Sequence, residues 1–182
     1  PRGYSGGMDA LRPTLNHLLL DRCFRSCRTR AAVPIVALLL SATMVVGCGE
    51  TLPDDVKGYR TRCIQMNVEK LHPTADDPHE GYKDVFACNV TVDDLRDPTT
   101  GAPKFPYPDG TLIVKESVRD GQNYPWLVAT MKKSGGTWEW HEYTRNFEDE
   151  DYVHIPVGEQ VCIDCHKKVE SIDWVYTLYE AR

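Results

Sequence analysis

The chain has 182 residues, 41% of them hydrophobic and 26% charged, a composition that predicts one globular domain and excludes collagen-like or intrinsically disordered chains. Its net charge of −6 is unevenly placed, because residues 1–47 carry +4 and the remainder therefore carries −10. A domain that acidic argues against nucleic acid as a partner, and its acidic face is either simply solvated or a docking site for a redox partner such as a basic cytochrome.

The first part of the chain has the layout of a secretory signal. An arginine-rich stretch leads into residues 31–46, an apolar run of about fifteen residues that Pro34 interrupts. The run is shorter than the ~20 residues that a membrane-spanning helix requires. We therefore expect residues 1–47 to be a leader, with Met8 as the candidate start and residues 1–7 upstream of it.

The leader ends in the letters VVGC at residues 45–48, which resemble a bacterial lipobox. In that motif the cysteine is acylated and becomes the mature N-terminus. We therefore expect lipidation of Cys48, followed by a polar tether through residue 55. The mature protein would face the periplasm from the bacterial cell envelope and would touch the membrane only through its lipid anchor. Ordinary signal cleavage or a retained anchor is the alternative.

After the tether, the chain predicts a helix and then a loop. Apolar residues recur at helical spacing from Val56 onward, which predicts a helix that begins at Asp54 or Asp55 and ends near Asn67. Residues 71–82 are rich in proline, glycine and aspartate and predict a loop.

Two cysteines, Cys63 and Cys88, remain once those of the leader, its end and a C-terminal motif are set aside. In an oxidising compartment such a pair predicts a disulfide. The bond would stabilise the fold by roughly 3–4 kcal/mol in the chain-entropy account. Two buried free thiols are the alternative.

Four segments carry strand signals and are separated by short turns that contain glycine, proline or asparagine. They are residues 84–92, 110–117, 125–132 and 137–144. Connections this short join antiparallel neighbours, so the predicted sheet is antiparallel. In the second segment, alternation puts Ile113 and Lys115 on one face, and Val114 and Glu116 on the other.

Near its end the chain reads VCIDCHKK, and the C-x-x-C-H within it is the attachment signature of a c-type haem in an exported protein. Cys162 and Cys165 lie one helical turn apart, which matches the two vinyl groups, and histidine is the usual proximal ligand of haem iron. We therefore expect one haem c per chain, with thioether bonds to both cysteines and His166 on the iron. A zinc half-site and a redox-active dithiol are the alternatives.

The same motif opens an apolar pattern at spacings of three and four that runs to Tyr179 and predicts one C-terminal helix. Residues 56–182 should therefore form an α+β domain, a small and mainly antiparallel sheet packed with helices, with the haem attached on the C-terminal helix. No methionine or second histidine follows His166. An upstream residue, Met131 or His154, is the candidate sixth ligand of a low-spin electron-transfer cytochrome.

The segments YPDGTLIVKES, WLVATMKK, WEW and CIDCHKKVESIDWVYTLY together resemble the cytochrome P-460 family, which includes the β-type cytochromes c′, over roughly residues 52–180. The resemblance implies a homodimer with a five-coordinate, high-spin haem on His166. It also implies that Lys115, the lysine of P-D-G-x-x-x-x-K-E, can bond covalently to a haem meso carbon. A lysine that merely snorkels at a sheet edge is the alternative.

P-460 proteins oxidise hydroxylamine, whereas their β-type c′ relatives bind nitric oxide and similar gases. The enzymes are expected to keep a carboxylate over the iron, and residues 126–131 contain none. Glu116, Glu139 and Glu142 lie on neighbouring strands. We therefore expect an apolar pocket that binds nitric oxide or a related small nitrogen or oxygen species. A hydroxylamine-oxidising enzyme with a lysine–haem cross-link is the first alternative, and the low-spin electron carrier is the second.

Overall fold

A six-stranded antiparallel sheet organises residues 52–75 and 77–181, the part of the chain that the computed structural model describes. The strands lie side by side in chain order, as a continuous meander. They are β1 (Ile64–Gln65), β2 (Tyr82–Cys88), β3 (Leu112–Val118), β4 (Leu127–Ser134), β5 (Thr137–Thr144) and β6 (Val153–Ile155). The predicted antiparallel sheet and the mixed α+β class are confirmed. The leader and Cys48 lie outside the described residues.

The helices of the described chain are short. They are α1 (Tyr59–Arg62), α2 (Val92–Leu95) and α3 (Glu159–His166), and a 3₁₀ helix, Lys167–Ile172, continues from α3. Thr91 and Asp94 form a capping box at the start of α2. None of the helices in the described ranges is long and apolar enough to cross a bilayer.

The predicted N-terminal helix is wrong in its length, since α1 has only four residues. Gly58 before it is left-handed, and Cys63 after it is already extended. Cys63 is disulfide-bonded to Cys88 on β2, and the next two residues pair with β2 as strand β1. These tertiary bonds to β2 override the helical spacing of the apolar residues.

Both faces of the sheet are covered, as the alternation along β3 predicts. Leu112 and Val114 pack in one cluster, against apolar residues that include Val56 and Tyr59 before and within α1. Ile113 packs in a second cluster on the other face, with Val175 near the C-terminus. The candidate site lies on this second face, between the sheet and α3.

The predicted C-terminal helix is also wrong in its extent, because the helical path ends at Ile172. Asp173 and Trp174 both take positive φ angles, 55° and 69°, which a right-handed helix excludes. The reversal places Val175 in the second cluster with 2% of its surface exposed. Both motif cysteines nevertheless lie together on α3.

Candidate functional site

A cleft on the second face of the sheet brings together residues that are far apart in the sequence. Cys162, Cys165 and His166 of α3 line it, and Lys115 of β3 lines it too. The space within it is about 930 Å³, including the part open to solvent. Much of the remaining lining is apolar and includes Val85, Ile113, Met131, Trp140 and Val175.

His166 is fixed by a main-chain contact. Its Nδ1 lies 2.6 Å from the carbonyl oxygen of Trp174. A carbonyl only accepts hydrogen bonds, so Nδ1 carries the proton and the lone pair stays on Nε2. Burial lowers the pKa of His166 to about 4, so the ring is neutral at neutral pH. The ring also packs against Trp140 and Tyr176, with centroid distances of 4.5 and 5.2 Å.

Cys162 and Cys165 are free thiols in the cleft, and both are partly buried. Burial raises the pKa of the Cys162 thiol. The hydroxyl of Tyr176 donates to the carbonyl of Cys165 at 2.8 Å, which ties the end of α3 to the C-terminal segment. Across the described residues, no cluster of three or more His, Cys, Asp or Glu side chains is arranged to hold a metal ion.

Lys115 belongs to a row of residues that crosses the sheet. It pairs with Ala129 on β4, and Ala129 pairs with Glu142 on β5. Residues in register on adjacent antiparallel strands point to the same face. Lys115 and Glu142 therefore both face the cleft, with the small side chain of Ala129 between them.

His79, from the loop before β2, bridges the two ends of this row. Its Nδ1 lies 2.7 Å from Lys115 Nζ, and its Nε2 lies 2.9 Å from Glu142 Oε1. An ionised carboxylate only accepts, so Nε2–H donates to Glu142. Nδ1 lies between Nζ of Lys115 and Oδ1 of Asp77, which is 3.3 Å away. The hydrogen bond from His79 lowers the pKa of Glu142, and burial lowers the pKa of Lys115 to about 8.

Asp77 holds His79 in place. One oxygen of its carboxylate accepts the backbone N–H of His79 at 2.9 Å, and the other lies 2.9 Å from Nζ of Lys83, a buried lysine. Burial of the Asp77 carboxylate opposes its ionisation, but the bonds to His79 and Lys83 outweigh burial and lower its pKa. The loop therefore holds the His79 imidazole in a fixed orientation in the lining of the cleft.

The cleft is largely apolar, as expected, but it is not free of acids. Residues 126–131 supply none, but Glu142 enters from the neighbouring strand, and His79 accompanies it. Of the other two glutamates, Glu116 is buried on the opposite face, where it bonds to Tyr59 and Arg60, and Glu139 is exposed. Alternation along β3 already puts Glu116 on the face opposite Lys115, and the register of β4 with β5 places Glu142 on the face of the cleft.

The two candidate sixth ligands are placed differently. Met131 lines the cleft, with 5% of its surface exposed. His154 is an exposed residue of β6, and its Nε2 is 3.3 Å from Nδ1 of His141. Met131 is therefore the methionine that could approach an iron bound in the cleft.

Comparison with known proteins adds no relative. No protein-family model matches the chain, and no curated protein shows significant similarity to it. The function is therefore argued from the residues of the cleft and from the motifs that they form.

Proposed function

We propose that the protein is an exported monohaem c-type cytochrome whose haem lies in this cleft. Cys162 and Cys165 would hold the haem through thioether bonds, and His166 would be the proximal ligand. A small nitrogen or oxygen species, nitric oxide above all, would bind to the open face of the iron. When bound, the haem supplies an iron site for such ligands and one-electron redox chemistry.

One observation carries the proposal: the hydrogen bond from His166 Nδ1 to the Trp174 carbonyl. Histidines that bind metals almost always donate their second ring N–H to a carbonyl or carboxylate, which fixes the tautomer and raises the basicity of the ligand. Here the bond leaves the lone pair of Nε2 available to a metal. The same helix also carries two free thiols that line the largely apolar cleft. The cleft thus fits the chemistry of a haem attached through C-x-x-C-H.

Electronic spectra of the protein, matured in cells that assemble c-type cytochromes, test this proposal. We expect a high-spin, five-coordinate haem in both oxidation states, and a new spectrum after nitric oxide is added to the ferrous form. A low-spin, six-coordinate spectrum that becomes high-spin in Met131→Ala would instead establish the electron-carrier alternative. A protein without a Soret band would overturn both.

Hydroxylamine oxidation is the second candidate, and the observation that favours it is the His79–Glu142 pair in the cleft. Oxidation of hydroxylamine removes protons as well as electrons, so it requires a proton acceptor near the substrate. Glu142 is ionised at neutral pH and can accept a proton, and the hydrogen bond from His79 that lowers its pKa also orients it. Lys115, beside it, is the lysine that a haem cross-link would use.

Turnover with hydroxylamine and an artificial one-electron acceptor separates the two candidates. An enzyme that uses Glu142 should lose about a hundredfold or more of its rate in Glu142→Gln, the usual scale of general-base catalysis. Glu139→Gln is the matched control, because Glu139 is an exposed glutamate on the same strand. No turnover by the wild-type haem protein would exclude the enzyme and leave ligand binding.

Location and partners are proposed from the sequence. The leader and Cys48 support a lipid-anchored protein on the periplasmic side of a bacterial envelope. The acidic mature domain suits a basic redox-partner cytochrome, and the family resemblance supports a homodimer.

A further inference from the structure

Two consecutive residues after the 3₁₀ helix are left-handed although neither is glycine. Asp173 has φ 55° and Trp174 has φ 69°. Side chains with a Cβ rarely adopt this region, and such conformations persist where the surrounding structure holds them. The contacts of Asp173 identify what holds this segment.

The Asp173 carboxylate is bonded to the sheet on one side and to a loop on the other. Its Oδ2 lies 2.5 Å from Lys133 Nζ on β4 and accepts the backbone N–H of Tyr107 at 2.7 Å. The Lys133 and Asp173 side chains are only 5% and 11% exposed, so water screens this ion pair little. Lys133 Nζ also lies 5.3 Å from the centre of the Trp138 ring.

The residue directly after Asp173 makes the contact that orients the candidate iron ligand. Trp174 presents its carbonyl oxygen to His166 Nδ1 at 2.6 Å. The peptide plane of that carbonyl follows from the backbone angles of Trp174, and the Asp173–Lys133 bond anchors the segment to β4. A continuous series of short contacts therefore runs from β4 to the imidazole of His166.

We propose that Lys133 and Asp173 are positioning residues for the iron ligand, because their buried ion pair sets the geometry of the His166–Trp174 hydrogen bond. Through that bond they would control how strongly the imidazole donates electrons to the iron. The inference rests on the proposed function, since it requires His166 to be the proximal ligand. It adds two residues that are not among the haem-binding residues of the sequence motif.

The test is a pair of spectroscopic and electrochemical measurements on the haem-loaded protein. Resonance Raman spectra of the ferrous form give the iron–histidine stretching frequency, and a redox titration gives the reduction potential. In Lys133→Met and in Asp173→Asn, we expect a lower stretching frequency and a higher reduction potential, because a weaker hydrogen bond makes imidazole a poorer donor. Lys133→Arg, which keeps the positive charge, should recover much of both shifts.

Lys132→Met is the matched control. Lys132 is the neighbouring residue on β4, and its Nζ makes a 2.8 Å ion pair with Asp55 in which both side chains are more than 40% exposed. It should change neither quantity. If Lys133→Met fails to fold because it leaves Asp173 unpaired, Lys133→Met/Asp173→Asn removes both charges and should show the same two shifts.

Unchanged stretching frequency and potential in these variants would overturn the inference, even if the melting temperature falls, because the ion pair would then only stabilise the fold. That result would leave the proposed haem function intact. A wild-type protein without attached haem would overturn both proposals.

Discussion

Lys115 and Glu142 lie on one face of the sheet, in register through Ala129, and the imidazole of His79 hydrogen-bonds to both. The two charged residues lie on β3 and β5, on the second face of the sheet. The imidazole belongs to the loop before β2. The three side chains therefore form one hydrogen-bonded group on a wall of the cleft.

Replacing His79 with phenylalanine should destabilise the protein by about 2–4 kcal/mol, because Lys115 and Glu142 would each lose a buried hydrogen-bond partner. The free energy of unfolding, measured by denaturant titration, tests this. His154→Phe provides the comparison, since His154 is an exposed histidine on β6. Equal stability of the two variants would contradict the bridging role of His79.

Lys115 should make the stability of the folded protein depend on pH. Burial lowers its pKa to about 8, from an ordinary value of 10.5. Between these pH values the unfolded chain holds a proton that the folded protein does not, so the folded state gains stability as the pH rises. Compared with Lys115→Leu, the wild type should therefore gain on the order of 1–3 kcal/mol from pH 8 to pH 10.

Parallel unfolding titrations of the two proteins at several pH values measure this difference. A difference that does not vary with pH would show that Lys115 titrates as an ordinary exposed lysine. Mass analysis of the peptide that contains Lys115 accompanies the measurement, because a lysine bonded to haem no longer titrates as a primary amine. That analysis also tests the cross-link itself.

The disulfide should contribute to stability independently of the pocket. Cys63 and Cys88 are separated by 25 residues, and closing a loop of that length is worth about 3–4 kcal/mol in the unfolded chain. We expect Cys63→Ser/Cys88→Ser to lose about that much free energy of unfolding. Mild reduction of the wild type should have the same effect, and no change under either treatment would show that the bond does not form in the protein.

Periodicity predicts the middle of the sheet well, because β2 to β5 have seven or eight residues each and are long enough to alternate. β1 and β6 have two and three residues, too few for a pattern to show. The predicted C-terminal helix is longer than the observed one for a different reason. No local pattern in the sequence predicts a left-handed Asp173, and its side chain bonds to Lys133, forty residues earlier.

The candidate site divides in the same way. The C-x-x-C-H motif and Lys115 are visible in the sequence, and the structure places them around one cleft. Glu142 is one of three glutamates on neighbouring strands, and the register of β3, β4 and β5 is needed to place it in one row with Lys115. His79 lies in a loop without any periodic signal, and its role depends on contacts with two strands that follow it in the chain.

Covalent attachment of one haem to Cys162 and Cys165 is the central claim, and the mass of the intact, denatured protein tests it most directly. In protein from cells that mature c-type cytochromes, we predict the mass of the polypeptide plus one haem. The haem should be absent from Cys162→Ala/Cys165→Ala and present in Cys63→Ser/Cys88→Ser. A wild-type mass equal to that of the polypeptide alone would contradict the account.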